Sequence, residues 1–232
     1  MFERERHRDV DTILRALDAE KLDAFRFFFA GGTRIALDLD EYRESNDIDF
    51  MCSDVSGYAD LRSIARSQGY SGFFLEEGLR SLGFPREILA DQYGIRFPVE
   101  CNGNLMKVEL IHEGRVELDP GTTPSWSPVT CLSQLDCYAI KILANSDRWP
   151  DRQILSRDLT DLGIMRSRWG PIPDEAWRKA EAAYKAAARS DLRKALAFFL
   201  DDESYQRRCF TGLRITNPSG VLEGLSRLLE EV

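Results

Sequence analysis

Two carboxylates separated by a single residue, Asp47 and Asp49, follow a Gly-Gly-Thr sequence at residues 31–33. Side chains alternate along a strand, so on a strand these two acids would share one face. Two like charges held close together repel each other unless a cation lies between them, and carboxylate oxygens are ligands that Mg²⁺ prefers. A glycine turn that opens a helix presents backbone N–H groups to phosphate. Together, the turn and the acids predict a site for Mg²⁺ and a nucleoside triphosphate.

The residues around this sequence predict the elements that would position it. The aromatic run at residues 25–30 is typical of a buried strand, which the glycines end. Thr33 is then expected to cap a short helix through residue 39, and residues 47–52 are expected to form a second strand. A glycine pair alone is usually an ordinary loop, and Asp-x-Asp alone describes the solvent face of many strands. The combination of the two favours phosphate and metal binding.

A third acid is expected if two metal ions take part. Residues 105–111 alternate in polarity, which predicts a strand with Lys107 and Glu109 on one face. Residues 93–101 alternate as well, and we expect them to form its antiparallel neighbour. Glu109 is therefore the candidate for the second ion. The alternative is a half-exposed edge strand that carries a lysine and a glutamate for solubility.

The remaining patterns divide the chain at a segment rich in helix breakers. Residues 119–128 are dense in Pro, Gly, Ser and Thr, which predicts a linker. Before it, helical spacing at residues 10–17 and 57–68 predicts two helices, and residues 71–75 predict a strand. After it, nearly every pattern is helical, at residues 133–147, 154–169, 174–188, 191–200 and 219–229. A basic stretch at residues 177–194 fits either an RNA-binding surface or a solvated helix face.

Composition narrows the class of protein. The 232 residues, 43% of them hydrophobic, suffice for one large or two modest domains, and the net charge of -8 argues against a protein that coats nucleic acid. Five scattered cysteines predict reduced thiols, and two histidines offer little for a zinc cluster or a histidine-based triad. No apolar run approaches membrane-spanning length and no signal peptide is visible, so a cytoplasmic protein without a membrane partner is expected.

The quoted residues carry a resemblance to the nucleotidyltransferases of the DNA polymerase β-like superfamily and, within it, to the abortive-infection AbiEii toxins. The superfamily pattern is a glycine pair, a short helix, Asp-x-Asp and a later acid on a strand. The toxin family adds a Lys-x-acid strand, a helix with a lysine followed by an arginine, and a helix with Arg-Asp and a later Asp. The residues that match are Gly31, Gly32, Thr33, Asp47, Asp49, Lys107, Glu109, Lys141, Arg148, Arg157, Asp158 and Asp161. Glu109 departs from the pattern, since the family usually has Asp there.

The resemblance and the order of strand and helix patterns both predict an α+β fold. A polymerase β-like nucleotidyltransferase domain with a mixed sheet and helices is expected at residues 1–128, followed by a helical bundle at residues 129–232. The resemblance implies two Mg²⁺ ions, for which Mn²⁺ could substitute, and Asp47, Asp49 and Glu109 as catalytic acids and metal ligands. It further implies a nucleotide site formed by Gly31, Gly32, Thr33, Lys107, Lys141, Arg148, Arg157 and Asp158.

The resulting prediction is a Mg²⁺-dependent enzyme that transfers NMP from an NTP such as ATP to an acceptor hydroxyl. The resemblance implies an RNA or tRNA 3′ end or a protein as acceptor, and a toxin with a cognate antitoxin as partner. Two alternatives remain open: a small-molecule nucleotidyltransferase of the aminoglycoside type, and a non-catalytic nucleotide-binding or interaction protein that retains the fold. Three acids that face one another argue against the non-catalytic alternative, because a scaffold has no need of such a repulsive arrangement.

Overall fold

The computed structural model describes residues 2–232 and divides the chain into two compact units. The sheet unit comprises the described residues up to Arg34 together with Ser45–Ser133, and the helical unit comprises Ile35–Glu44 and Gln134–Val232. The division into domains after residue 128 stays a prediction. No sequence pattern indicated that Ile35–Glu44 would belong to the helical unit.

The sheet unit is built on five strands in the order β1-β2-β5-β4-β3. Strands β2 and β5 are parallel, and every other neighbouring pair is antiparallel, so the sheet is mixed as predicted. A parallel pair needs a long crossover, and here the chain between β2 and β5 supplies helices and two further strands. The strands are β1 Phe28–Ala30, β2 Ile48–Cys52, β3 Leu89–Ala90, β4 Gly94–Cys101 and β5 Asn104–His112.

Alternation of buried and open side chains sets the facing of β5. In β5 the side chains of Met106, Val108 and Leu110 are buried, while Lys107 is exposed and Glu109 is only partly buried. A one-residue slip in register would move the apolar side chains to the open face, so burial fixes the facing of the acids.

Helices accompany this sheet within the same unit. Helix α1 buries Val10, Ile13 and Leu14, whose spacing forms a single apolar stripe. The first turn of α3 belongs to the sheet unit, and the rest of this helix belongs to the helical unit. The helices are α1 Glu5–Ala16, α2 Ala19–Ala24, α3 Gly31–Asp38, α4 Val55–Gln68 and α5 Glu76–Ser81.

The helical unit contains the segment Ile35–Glu44 and a series of consecutive helices. These are α6 Gln134–Arg148, α7 Arg157–Trp169, α8 Asp174–Tyr184, α9 Ala187–Asp201, α10 Glu203–Gly212 and α11 Pro218–Glu231. The predicted helices at residues 174–188 and 191–200 were wrong in their boundary, because Lys185 adopts a φ of 54° and ends α8 early. Helix α10 was not predicted, since it follows α9 without a proline or glycine between them.

Three local predictions in the sheet unit were wrong. Residues 71–75 do not form a strand, because a 3₁₀ helix at Gly69–Gly72 leads directly toward α5. The aromatic side chains of Phe73 and Phe74 are buried against Phe97, so their hydrophobicity reflects burial rather than extended backbone. Strand β1 begins only at Phe28, because helix α2 extends to Ala24 and Arg26 follows its end with a φ of 58°.

The third wrong prediction concerns Thr33, which does not cap α3. The helix already begins at Gly31, so Thr33 lies in its first turn.

All five cysteines are buried thiols, in agreement with the prediction from their spacing. Among residues 2–232, no helix combines the length and the apolar character that crossing a bilayer requires.

Candidate active site

The glycine turn lies directly against one of the two predicted acids. Gly31 has a φ of +74°, and a Cβ at this position would overlap Oδ2 of Asp49 and lie 3.0 Å from its Cβ. Ala30 and Asp49 are partners across β1 and β2, which explains why the start of α3 meets this carboxylate. Only glycine combines this backbone conformation with this close approach. The structure therefore brings the helix start and Asp49 together, as the sequence predicted.

The segment that leads to the acid pair is held by hydrogen bonds. The backbone N–H of Ser45 donates to Nε2 of the fully buried His7 at 3.2 Å, and the hydroxyl groups of Ser45 and Thr33 are 2.8 Å apart. Asp47, two residues later, is exposed and precedes β2, whereas Asp49 lies within β2 and is partly buried. His7 was not among the predicted site residues. The one signal for it in the sequence is a polar side chain on the apolar face of α1.

The third predicted acid is the neighbour of the second in the sheet. Asp49 and Glu109 are register partners across the parallel strands β2 and β5. Glu109 lies between two cations: Nε of Arg96 is 3.0 Å from its Oε1, and Nζ of Lys107 is 2.5 Å from its Oε2. Arg96 was not predicted, because its position opposite Glu109 follows from strand register, which no local pattern shows.

The acids offer oxygen ligands that suit a hard cation such as Mg²⁺. Asp47 is exposed and Asp49 borders the glycine turn, and that these two acids hold one such ion stays a prediction. Within residues 2–232, no group of three or more His, Cys, Asp or Glu side chains is placed to hold a metal ion as it stands. Both oxygens of Glu109 are paired, with Arg96 and with Lys107, so Glu109 would need to release one cation to hold an ion with the other acids.

Three residues that match the family motifs, Lys141, Asp158 and Asp161, form a buried charge cluster with Tyr42 and Arg43, neither of which was predicted. We call these five residues the cluster. Nζ of Lys141 is 2.9 Å from Asp158 and 2.5 Å from Asp161. Nε of Arg43 is 2.7 Å from Asp161, and the hydroxyl of Tyr42 donates to the same carboxylate. The cluster thereby connects the segment Ile35–Glu44 to helices α6 and α7 of its unit.

The electrostatics of this cluster favour its charged form. Burial raises the pKa of Asp161, but the charges of Arg43 and Lys141 and the hydrogen bonds they donate outweigh burial, so this pKa lies well below its usual value. Burial lowers the pKa of Lys141, while Asp158 and Asp161 raise it beyond its usual value. The acids and the cations of the cluster are therefore ionised, whereas burial and the charge of Asp161 raise the pKa of Tyr42, which stays a neutral donor.

The other cations predicted to bind nucleotide differ in their surroundings. Arg148 pairs with Asp158 at 2.7 Å, and its side chain is 40% exposed. Arg157 is partly buried at the start of α7, and within the described residues it forms no ion pair. The structure thus brings Lys141, Arg148 and Asp158 together and leaves Arg157 apart. Nucleotide binding by these residues stays a prediction.

The basic stretch at residues 177–194 is largely matched by acids. Lys179 pairs with the buried Asp136 at 2.5 Å, Arg189 pairs with Glu181 at 2.5 Å, and Lys194 pairs with Asp191 at 3.0 Å. The guanidinium of Arg189 also lies over the ring of Trp177 at 4.0 Å. These contacts favour the solvated helix face over an RNA-binding surface.

The ionisation of the cluster predicts a loss of stability in acid. The pKa values of Asp158 and Asp161 are lowered in the folded protein, so their contribution is complete above the ordinary value of 3.8 and is lost as the pH falls below it. Denaturant unfolding measured from pH 7 to pH 3 should show this loss. The variant Asp161→Asn should show a smaller decrease over the same range. Equal decreases in the two proteins would contradict the role of the cluster.

Comparisons with known proteins concern the sequence family and the fold of this chain. The sequence profile of the family described as "Nucleotidyl transferase AbiEii toxin, Type IV TA system" matches residues 12–214. The fold is similar to the crystal structure of JHP933 from Helicobacter pylori, with a TM-score of 0.54 and 13% identity over 100% of this chain and 96% of that one. A proposed nucleotidyltransferase from H. pylori is similar with a TM-score of 0.51 and 13% identity over 97% and 95% of the two chains. No match was found among curated proteins.

Proposed function

Because the chain belongs to the AbiEii family of nucleotidyltransferase toxins of type IV toxin–antitoxin systems, we propose that it transfers NMP from an NTP to an acceptor hydroxyl in a Mg²⁺-dependent reaction. One observation supports this most directly: Asp49 is the register partner of Glu109 and also borders the glycine turn at Gly31. Asp49, the proposed metal ligand, thereby lies between the helix start proposed to bind phosphate and the proposed third acid. The family also implies a cognate antitoxin as partner.

The start of α3 is the proposed site of the triphosphate. Its first backbone N–H groups have no partner within a helix and carry the positive end of the helix dipole, which suits phosphate oxygens. The hydroxyl of Thr33 is buried and paired with Ser45, so we assign phosphate binding to the N–H groups of Gly32 and Thr33 rather than to this hydroxyl. Lys107 is exposed and can turn its ammonium toward the phosphates.

Asp47 and Asp49 would hold Mg²⁺, or Mn²⁺ in its place, and Glu109 would contribute to a second ion after Lys107 leaves its Oε2. The ions would offset the charge of the triphosphate and of the leaving pyrophosphate. Glu109 is also the proposed base: it accepts the proton of the acceptor hydroxyl as the new bond to the α-phosphorus forms and the bond to pyrophosphate breaks.

The acceptor is proposed to be an RNA 3′ end or a protein hydroxyl, and labelling distinguishes them. Purified protein is incubated with Mg²⁺, total RNA and each α-labelled NTP in turn, and the products are treated with ribonuclease or protease before electrophoresis. Label that ribonuclease removes identifies RNA, and label that protease removes identifies protein. A labelled aminoglycoside in a parallel reaction would support the small-molecule alternative. Absence of label with all acceptors would contradict nucleotidyl transfer.

The metal site gives a separate prediction. We expect Asp49→Asn to abolish Mg²⁺-dependent NTP binding and to leave the fold intact, because it removes a ligand charge while relieving repulsion within the acid pair. Calorimetric titration of NTP with and without Mg²⁺ measures this effect, with Asp60→Asn on the exposed face of α4 as the matched control. Unchanged Mg²⁺-dependent affinity in Asp49→Asn would refute the site.

A further inference from the structure

Arg96 contacts the proposed catalytic acid although it belongs to none of the predicted motifs. It lies on β4, directly opposite Glu109 on β5, and its Nε is 3.0 Å from Oε1 of Glu109. Its Nη1 is 3.0 Å from Oδ2 of Asp91. The guanidinium therefore bridges two carboxylates, and its planar shape fixes the direction in which each is held.

The orientation of Arg96 is itself fixed by the turn before β4. Oδ1 of Asp91 accepts hydrogen bonds from the backbone N–H groups of Tyr93 at 2.7 Å and of Gly94 at 3.0 Å. A Cβ on Gly94 would lie 3.1 Å from Nη2 of Arg96, so the glycine leaves the space in which the guanidinium lies. The backbone N–H groups thus hold the carboxylate of Asp91, which in turn holds the guanidinium of Arg96. The guanidinium then holds Oε1 of Glu109.

The second oxygen of Glu109 has a partner of a different kind. Lys107 pairs with Oε2, but its side chain is 54% exposed, whereas that of Arg96 is 34% exposed. The ammonium of a lysine on a flexible stem exchanges partners at lower cost than a guanidinium that is bonded on two sides. Oε2 is therefore the oxygen that Glu109 can offer to a reacting hydroxyl or an ion.

We propose that Arg96 is the positioning residue of Glu109, which holds Oε1 so that Oε2 is directed to the reacting groups. This inference rests on the proposed function. A glutamate side chain has several rotatable bonds, so it loses side-chain entropy when its carboxylate is fixed. The contact with Arg96 removes that freedom before substrate binds, and such preorganisation raises the rate of the chemical step.

The test compares Arg96→Ala with Arg80→Ala, an exposed arginine of α5 in the same unit. For Arg96→Ala we expect kcat to fall about tenfold to a hundredfold, because a misplaced reacting group has an effect of this order. The Kd for NTP should stay within about twofold, since the phosphate-binding turn is unchanged. Guanidinium ion, at a concentration that leaves the thermal midpoint unchanged, should restore part of the lost rate.

Two further variants separate positioning from a general effect on folding. In a Glu109→Asp background the shorter acid does not reach Arg96, so Arg96→Ala should cause little further loss. If Arg96→Ala does not fold, Asp91→Asn releases the other arm of Arg96 and should lower kcat in the same direction. A native kcat in Arg96→Ala or in Asp91→Asn would overturn the inference. So would equal losses of kcat when Arg96→Ala is made with Glu109 and with Asp at position 109. In either case, transfer by the wild-type protein would still uphold the proposed function. A wild-type protein that transfers no nucleotide overturns both.

Discussion

Replacement of Glu109 by glutamine is expected to lower the rate of nucleotidyl transfer by roughly 10²–10⁴-fold, the range for loss of a general base. Glutamine has the same shape but cannot accept the proton of the acceptor hydroxyl or supply a charged ligand. Its amide leaves Lys107 without an anion and Arg96 with Asp91 alone, and both cations are open enough to water for the fold to tolerate this change. Affinity for NTP should be retained, because the glycine turn is unaffected.

Single-turnover kinetics and NTP titration measure these two effects separately. The matched control is Glu100→Gln, an exposed glutamate on the neighbouring strand β4 that lies outside the proposed site. A native rate in Glu109→Gln would contradict the catalytic role. It would support the alternative, in which Glu109 is an acid that aids solubility on a half-exposed strand. Loss of NTP binding along with the rate would instead place Glu109 in nucleotide binding.

Replacement of Asp161 by asparagine is expected to destabilise the helical unit by about 3–5 kcal/mol, the usual cost of removing one partner from a buried ion pair. Asp161 is fully buried and pairs with both Arg43 and Lys141. The variant leaves these two buried cations with Asp158 as the remaining acid of the cluster. The change is nearly isosteric, so lost packing contributes little.

Chemical unfolding followed by tryptophan fluorescence is suited to this measurement, because Trp149, Trp169 and Trp177 all belong to the helical unit. The control is Asp201→Asn at the exposed end of α9, for which a change within about 0.5 kcal/mol is expected. A similarly small change in Asp161→Asn would show that the cluster does not stabilise the unit. The result also bears on Lys141, because kinetic effects of its replacement can be assigned to nucleotide contact only after this stability effect is known.

The sequence alone determined the elements whose signals are local. Alternation of side chains predicted strands for Asp49 and for Glu109, and the glycine pair predicted where β1 ends and a helix follows. These predictions succeeded because strand facing and glycine conformation depend on a few adjacent residues. A local signal can also predict the wrong element. The aromatic residues Phe73 and Phe74 predict a strand at residues 71–75, but they are buried without being part of one.

Only the tertiary structure decided which charged groups meet. The register of β2, β5 and β4 sets Asp49 beside Glu109 and Arg96 opposite it, and register depends on pairing between distant segments. Lys141 and Asp161 were visible in the sequence as charged residues on helices, but their burial with Arg43 requires Ile35–Glu44 to join the helical unit. The environment of a charge is set by neighbours far away in the chain, so its role cannot be inferred from local sequence alone.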